Sequence, residues 1–405
     1  MLVLGLLAGS SWGCSTSGGD GSPEPTPLEE VDASPLRGAG FDQSRITVGV
    51  VADLTGPDAV HQRRLVDGVE AFWADSASRG GVAGRYPVQV RVLDAGGDPA
   101  TALRLATENA GEVVLFGLVG STQWGEAIRP VLVEDGVTAV IVNPAVSVYD
   151  EVTGMGAGLP IAPRAEALAT WLAESGEAGR WCLVDPPAAG LADTLAELAP
   201  AAGATMQAPV RPAEAGQTLA AAASEAGCQV LWLDGGSDER GVLTDLAVNA
   251  YEGRVAMVAD DPVLPAEVLA WAAERLVVAT AAPPWDSAEP GVQAMAAAVQ
   301  AQSPDLVPSD GVALGWASQQ VVDRLLSDAV DSGSLAREDV AIVAAALADP
   351  PSVAGSWSGE GGQRTASGTV TVWTPAPSPQ AGSARAVLAR VPVTAGSGTA
   401  PPTSS

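Results

Sequence analysis

The feature that most constrains this chain is a series of short, unbroken apolar runs separated by stretches of helical periodicity. The runs are Ile46–Ala52, Val88–Leu93, Val113–Phe116, Val137–Val142, Trp181–Val184, Val230–Leu233, Val255–Ala259 and Leu276–Thr280. Such a run has no polar face to offer water, so it belongs in a parallel sheet covered on both sides. Between the first two, Leu65, Val66, Val69, Phe72 and Trp73 recur at helical intervals, and Gly80-Gly81 stops the helix. Asp98-Pro99 opens the next helix, with Asp98 as N-cap and proline in the first turn. Strand, helix, strand repeated in this way gives an α/β fold with parallel sheets.

Eight strands in a chain of 405 residues fit two sheets better than one. Gly and Pro interrupt the periodicity near Gly154–Pro163, and a proline-rich acidic stretch, Ala281–Pro290, interrupts it again. A long helical region, Val292–Leu347, follows. The alternation in Gly368–Trp373 then predicts an edge or antiparallel strand. A chain dividing at these points makes lobe 1 from 45–160 and 285–345, and lobe 2 from 161–284 and 346–378. Crossing between lobes more than once makes the hinge multi-stranded. Residues 379–405 form a C-terminal extension whose end, 396–405, is expected to be disordered.

Composition narrows the function. There are 48 acidic and 20 basic residues, a formal charge of −28, and every basic residue is arginine. That field repels nucleic acid and anionic lipid, so neither is an expected partner. Three cysteines and one histidine supply no zinc, CxxC or iron–sulfur spacing, and neither metal nor cofactor is expected. Cys182 and Cys228 form either a disulfide or two buried free thiols. A serine hydrolase needs a nucleophile, a base and an orienter, yet His61 is the sole histidine and no G-x-S-x-G occurs. Gly154-Met-Gly-Ala-Gly158 lacks the strand–turn–helix setting of a dinucleotide fingerprint. These absences argue against an enzyme.

The apolar run Leu2–Ala8 is far too short to span a bilayer and reads as the core of an export signal. Ser11-Trp12-Gly13-Cys14 resembles a bacterial lipobox, which makes Cys14 the lipidated first residue of the mature protein; ordinary signal cleavage with Cys14 lost or free is the alternative. Residues 15–44, rich in Ser, Gly, Pro, Glu and Asp, read as a solvated tether. The expected location is the extracytoplasmic face of the bacterial envelope, held by a lipid alone.

The blocks Ile46-Thr-Val-Gly-Val-Val-Ala-Asp-Leu-Thr-Gly-Pro57, Arg79-Gly-Gly-Val-Ala-Gly84 and Asp94-Ala-Gly-Gly-Asp-Pro99 resemble the periplasmic binding proteins of the leucine/isoleucine/valine type. So do Leu118-Val-Gly-Ser-Thr-Gln123, Pro130-Val-Leu-Val-Glu-Asp-Gly-Val137 and Ile141-Val-Asn-Pro-Ala145. The resemblance runs from Ile46 to about Trp373 and is strongest in lobe 1. It implies two Rossmann-like lobes that close over an amino acid or similar small solute, and an ABC permease as membrane partner. A sensory receptor of the same architecture, or a structural lipoprotein whose cleft binds nothing, are the alternatives.

The resemblance also nominates residues. Ser121 and Thr122 match the loop that holds the ligand carboxylate, and hydroxyls beside free N–H groups at a helix start suit an anion; plain N-capping is the competing role. Val146 and Ser147 match a backbone group and a hydroxyl for the same ligand head. His61 stands where an aromatic often meets the ligand side chain, with an incidental place on an exposed helix start as the alternative. Asp260 is nearest to the acidic position that takes an ammonium group, with a solvated turn or N-cap carboxylate as the alternative; for Asp261, before Pro262, the solvated turn is the expectation. Trp316 matches an aromatic near the cleft, with core packing of a helix as the alternative.

Overall fold

The computed structural model describes residues 36–142, 154–184, 190–212, 216–234, 239–262, 264–281, 284–285, 287–347, 356–358, 365–377 and 385–395. Two sheets organise them. The first contains β1 (Ile46–Ala52), β2 (Val88–Asp94), β3 (Leu115–Val119), β4 (Ala139–Val142) and β5 (Gly154–Ala157), all parallel, in the order β2-β1-β3-β4-β5. The second has a parallel centre of β6 (Arg180–Leu183), β7 (Thr205–Met206), β8 (Val230–Asp234), β9 (Arg254–Val258) and β10 (Leu276–Thr280). Beside β10 runs β12 (Thr365–Pro375), antiparallel to it. Both β11 (Ser356–Ser358) and β13 (Arg385–Ala395) are antiparallel to β12. The architecture is therefore α/β in two lobes, each with its own sheet.

Helices cover both faces of both sheets. Lobe 1 carries α1 (Ala59–Ser78), α2 (Pro99–Asn109) and α3 (Thr122–Glu134), joined by α9 (Pro290–Gln302), α10 (Asp310–Ser332) and α11 (Arg337–Ala346). Lobe 2 carries α4 (Ile161–Glu174), α5 (Leu191–Ala201), α6 (Leu219–Glu225), α7 (Glu239–Val248) and α8 (Leu269–Arg275). The chain thus passes between lobes after β5, after β10 and after α11. One apolar cluster covers the α1/α10 face of lobe 1 and continues through Leu159 to the α4/α5 face of lobe 2. Two further clusters fill the α2/α3 face and the α6/α7/α8 face. Burial on both faces is why the strands read as continuous apolar runs.

Against α1, α10 lies parallel: Leu65 meets Gly315, Phe72 meets Trp316, and Trp73 Nε1 donates to Gln319 Oε1 at 2.9 Å. A Cβ on Gly68 or Gly315 would overlap the backbone carbonyl of Val312 or Leu65, so this close crossing requires glycine at both. Cys182 on β6 is bonded to Cys228, just ahead of β8, so of the two readings of this pair the disulfide is the one realised.

Several elements differ from the sequence expectation. Gly154–Ala157, read as an interruption, is the edge strand β5; its small residues are all buried beside α10. The long helical region divides into three helices, with prolines between α9 and α10, and Gly333 closing α10 in the left-handed conformation. The C-terminal extension contains β13, which pairs with β12 from Ala366↔Ala395 to Pro375↔Arg385. Its Pro392 and a register shift opposite Val372/Trp373 hide it from a search for clean alternation. Residues 396–405 and Cys14 lie outside the described residues. No helix among the described residues is long and apolar enough to cross a membrane.

Candidate functional site

Helix α1 follows β1 directly, α3 follows β3, and α10 lies parallel to α1. All three helices therefore start at the carboxyl edge of the lobe 1 sheet, where ligands of open parallel sheets sit. The turns behind this edge are fixed by two aspartates. Asp53, almost fully buried, accepts from the N–H groups of Gly56 and Asp58. Asp94 accepts from Leu54 N at 2.9 Å, Thr55 Oγ1 at 2.9 Å and Gly96 N at 3.0 Å. Burial disfavours its ionisation, but these hydrogen bonds outweigh burial and hold the carboxyl below its ordinary range. The blocks Asp53–Pro57 and Asp94–Pro99 are thus two turns clasped to each other.

Ser121 is the N-cap of α3: its backbone is extended, and Oγ accepts from Trp124 N at 3.4 Å. Thr122 begins the helix, and its side chain lies outside the described set. No acidic residue occupies the first turn of α3, whose N–H groups lack intrahelical acceptors. Gln62 is fully buried and joins this loop to α1, donating from Nε2 to Gly120 O at 2.9 Å and to Asp58 Oδ2 at 2.9 Å. Burial pushes the Asp58 carboxyl up, with the charge of His61 and the Gln62 hydrogen bond drawing it back. His61 is half-buried in the same first turn of α1. Gln62 thus ties the turn of α1 that carries His61 to the loop that leads into Ser121. Sequence reasoning missed Gln62, because nothing marks a polar residue in a helix as buried until its partner strand is placed.

Lobe 2 approaches the same turn of α1. Asp261, which follows β9, pairs with Arg64 Nη1 at 2.8 Å. A solvated turn was the expectation for Asp261; an ion pair between lobes is the outcome. Arg64 had one available signal, a scarce cation near a helix start in a strongly acidic chain.

Two nominated residues take other roles. Asp260 is buried, and its Oδ2 accepts from Arg164 Nη1 at 2.9 Å, with both side chains nearly inaccessible. Its Oδ1 accepts from Ala281 N at 3.1 Å and Thr280 Oγ1 at 3.3 Å. Arg164 stands in the first turn of α4, just after the first crossing, and Ala281 begins the second. Asp260 therefore knits two hinge segments, with a guanidinium where an ammonium ligand was expected. Trp316 is buried in lobe 1, edge-on to Phe72 with centroids 5.1 Å apart; helix-core packing, not a cleft wall, is its place. Val146 and Ser147 fall outside the described residues.

At the carboxyl edge of lobe 1, α1 carries Asp58 at its N-cap and α10 carries Asp310 in its first turn. The first turn of α3, capped by a neutral serine, contains no carboxylate of its own. That position suits a small anion. Among the described residues no three His, Cys, Asp or Glu side chains gather as metal donors.

Residues 45–374 match the model of a family described as periplasmic binding protein. No curated protein matches the chain. Among solved structures, it resembles a fatty acid ABC transporter substrate-binding protein from Thermomonospora curvata, with a TM-score of 0.74 and 16% identity over 87% of this chain and 93% of that one. A leucine-binding protein from Thermotoga maritima gives 0.69 and 16%, covering 85% and 98%. A solute-binding protein of an ABC transporter from Rhodopseudomonas palustris, solved with 3,4-dihydroxybenzoic acid, gives 0.63 and 16%, covering 82% and 93%.

Proposed function

The chain belongs to the periplasmic binding protein family, a family of binding proteins and not of enzymes, and on that premise we propose that it is the solute receptor of an ABC importer. In this reading Cys14 anchors it to the outer face of the cell membrane by a lipid. The lobes close over a small solute bearing a carboxylate, such as an amino acid, and deliver it to a membrane permease. Closure is favoured because the solute touches both lobes; a ligand held by one lobe alone would not shift the balance.

One observation carries the proposal: α3 starts at the carboxyl edge of the lobe 1 sheet with Ser121 as its cap and no acidic residue in its first turn. The solutes in the names of the similar proteins fit it, since fatty acid, leucine and dihydroxybenzoate each present a carboxylate. Of these only leucine also has an ammonium group, and the acid nominated to receive one is already engaged by Arg164. Val146, Ser147 and Thr122 complete the head-group site in this reading, with His61 toward the solute's tail.

A thermal-shift screen of amino acids, their des-amino analogues and aromatic acids tests the proposal. A ligand at 100 times its Kd adds about 2.7 kcal/mol of stability. Ser121→Ala should weaken the binding of any hit while leaving the unliganded melting temperature near wild type. A carboxylate ligand whose affinity is unaffected by Ser121→Ala would remove the α3 cap from the site.

A further inference from the structure

Strand β13 lies beyond the stretch matched to the family, which ends at residue 374, and it reaches across to the other lobe. Its first residue, Arg385, is hydrogen-bonded through β12 to the lobe 2 sheet, yet its guanidinium meets Asp310 of lobe 1. The contact is bidentate: Nη2 donates to Asp310 Oδ1 at 2.6 Å and Nη1 donates to Oδ2. Both side chains are nearly inaccessible, and the ring of Trp373 lies 4.9 Å beneath the guanidinium carbon. Asp310 also accepts from Trp285 N at 3.2 Å, so the pair clamps the second crossing as well. Further along the strand, Arg390 reaches Glu289, the N-cap of α9, at 3.4 Å.

Next to this contact is another pair between lobes, Arg64–Asp261. A Cβ on Gly311 would fall 2.7 Å from Asp261 Oδ2, so the start of α10 admits Asp261 only because glycine stands there. Two arginines and two aspartates, drawn alternately from the two lobes, thus surround the N-terminus of α10.

We propose that β13 is an interlobe strap, in which Arg385 seated on Asp310 adds a non-covalent link to the three covalent crossings and holds the ligand-free lobes close together. An arginine fork on a carboxylate fixes both distance and angle, which suits a device that limits the opening of a hinge. The strap does not depend on what the cleft binds.

Small-angle scattering of the purified, ligand-free full chain tests it without any ligand. Arg385→Ala and Asp310→Asn should each shift the radius of gyration and longest dimension upward. The exchange of Arg385→Asp with Asp310→Arg rebuilds the pair and should return both toward wild type. Arg254→Ala, which breaks an ion pair with Glu177 wholly inside lobe 2, should leave them unchanged. Folded Arg385→Ala or Asp310→Asn protein with wild-type dimensions would overturn the strap, as would a widening that the exchange leaves in place.

Discussion

Replacing Asp260 with asparagine separates a hinge role from a ligand role. The substitution keeps the size of the side chain and removes its charge, so Arg164 keeps its position but loses its counter-ion. Arg164 is 4% exposed, and its other hydrogen bond, from Nε to Pro160 O, is long at 3.3 Å. Removing one partner of such a buried pair costs about 3–5 kcal/mol, because the remaining charge has neither water nor a partner. In a lobe of this size each kcal/mol lowers the melting temperature by about 2–4 °C, which predicts a fall on the order of 10 °C. Differential scanning calorimetry of the unliganded chain measures it. Arg164→Met should lower the melting temperature too, and the double variant should be less damaged than the two single losses added together, since each removes the charge the other strands. If Asp260 instead receives an ammonium group, Asp260→Asn will melt within about 2 °C of wild type and lose affinity only for amino-bearing ligands. That result would refute the hinge assignment.

Two further outcomes follow from buried groups elsewhere. The Cys182–Cys228 bond closes a separation of 46 residues, and such a loop removes about 4 kcal/mol of chain entropy from the unfolded state. Reductant should therefore lower the urea midpoint of lobe 2, followed by far-UV circular dichroism, and an unchanged midpoint would show that the bond is absent from the purified protein. Burial pushes the Asp310 carboxyl up to about 6, with Arg385 pulling it down less strongly. Folded chains therefore hold a proton that unfolded chains release at the ordinary value of 3.8, and the stability this adds is complete below about pH 4 and lost as pH rises through 6. At about 1.4 kcal/mol per pH unit, the stability of wild type relative to Asp310→Asn should fall by roughly 3 kcal/mol between pH 4 and pH 7. A gap that widens over that range would refute the dominance of burial.

What was legible in the sequence divides by how far each signal reaches along the chain. The eight principal strands announce themselves locally, because a strand covered on both faces must be apolar throughout; Leu276–Thr280 is found to the residue. The α2 start at Asp98-Pro99 is equally local, and its carboxylate does accept from Ala100 N and Thr101 N. Strands β5 and β13 escaped because their composition reflects their neighbours: small residues beside α10 in one case, a proline on an exposed edge in the other. In the site, Ser121 was legible as a cap, a role its own backbone defines. The surroundings of Asp260 and Trp316 were not legible, for the opposite reason. Their partners, Arg164 and Phe72, are 96 and 244 positions away, and no periodicity within a strand or helix encodes such a pairing.

The scarcity of cations sharpens what these pairings mean. With 48 acids against 20 arginines, most carboxylates must face water or backbone donors, so a buried arginine marks a place where solvation would not serve. Arg164 and Arg385 are each about 4% exposed at the side chain, and each engages an aspartate at a crossing between lobes. Arg64 makes the third such contact, less deeply buried. Arginine stays protonated throughout the physiological range, so none of these contacts can be released by losing a proton from the cation. Within these three contacts, any response to acid enters through the carboxylate partners. The group placed to transmit it is Asp310, where helix start, second crossing and strap meet.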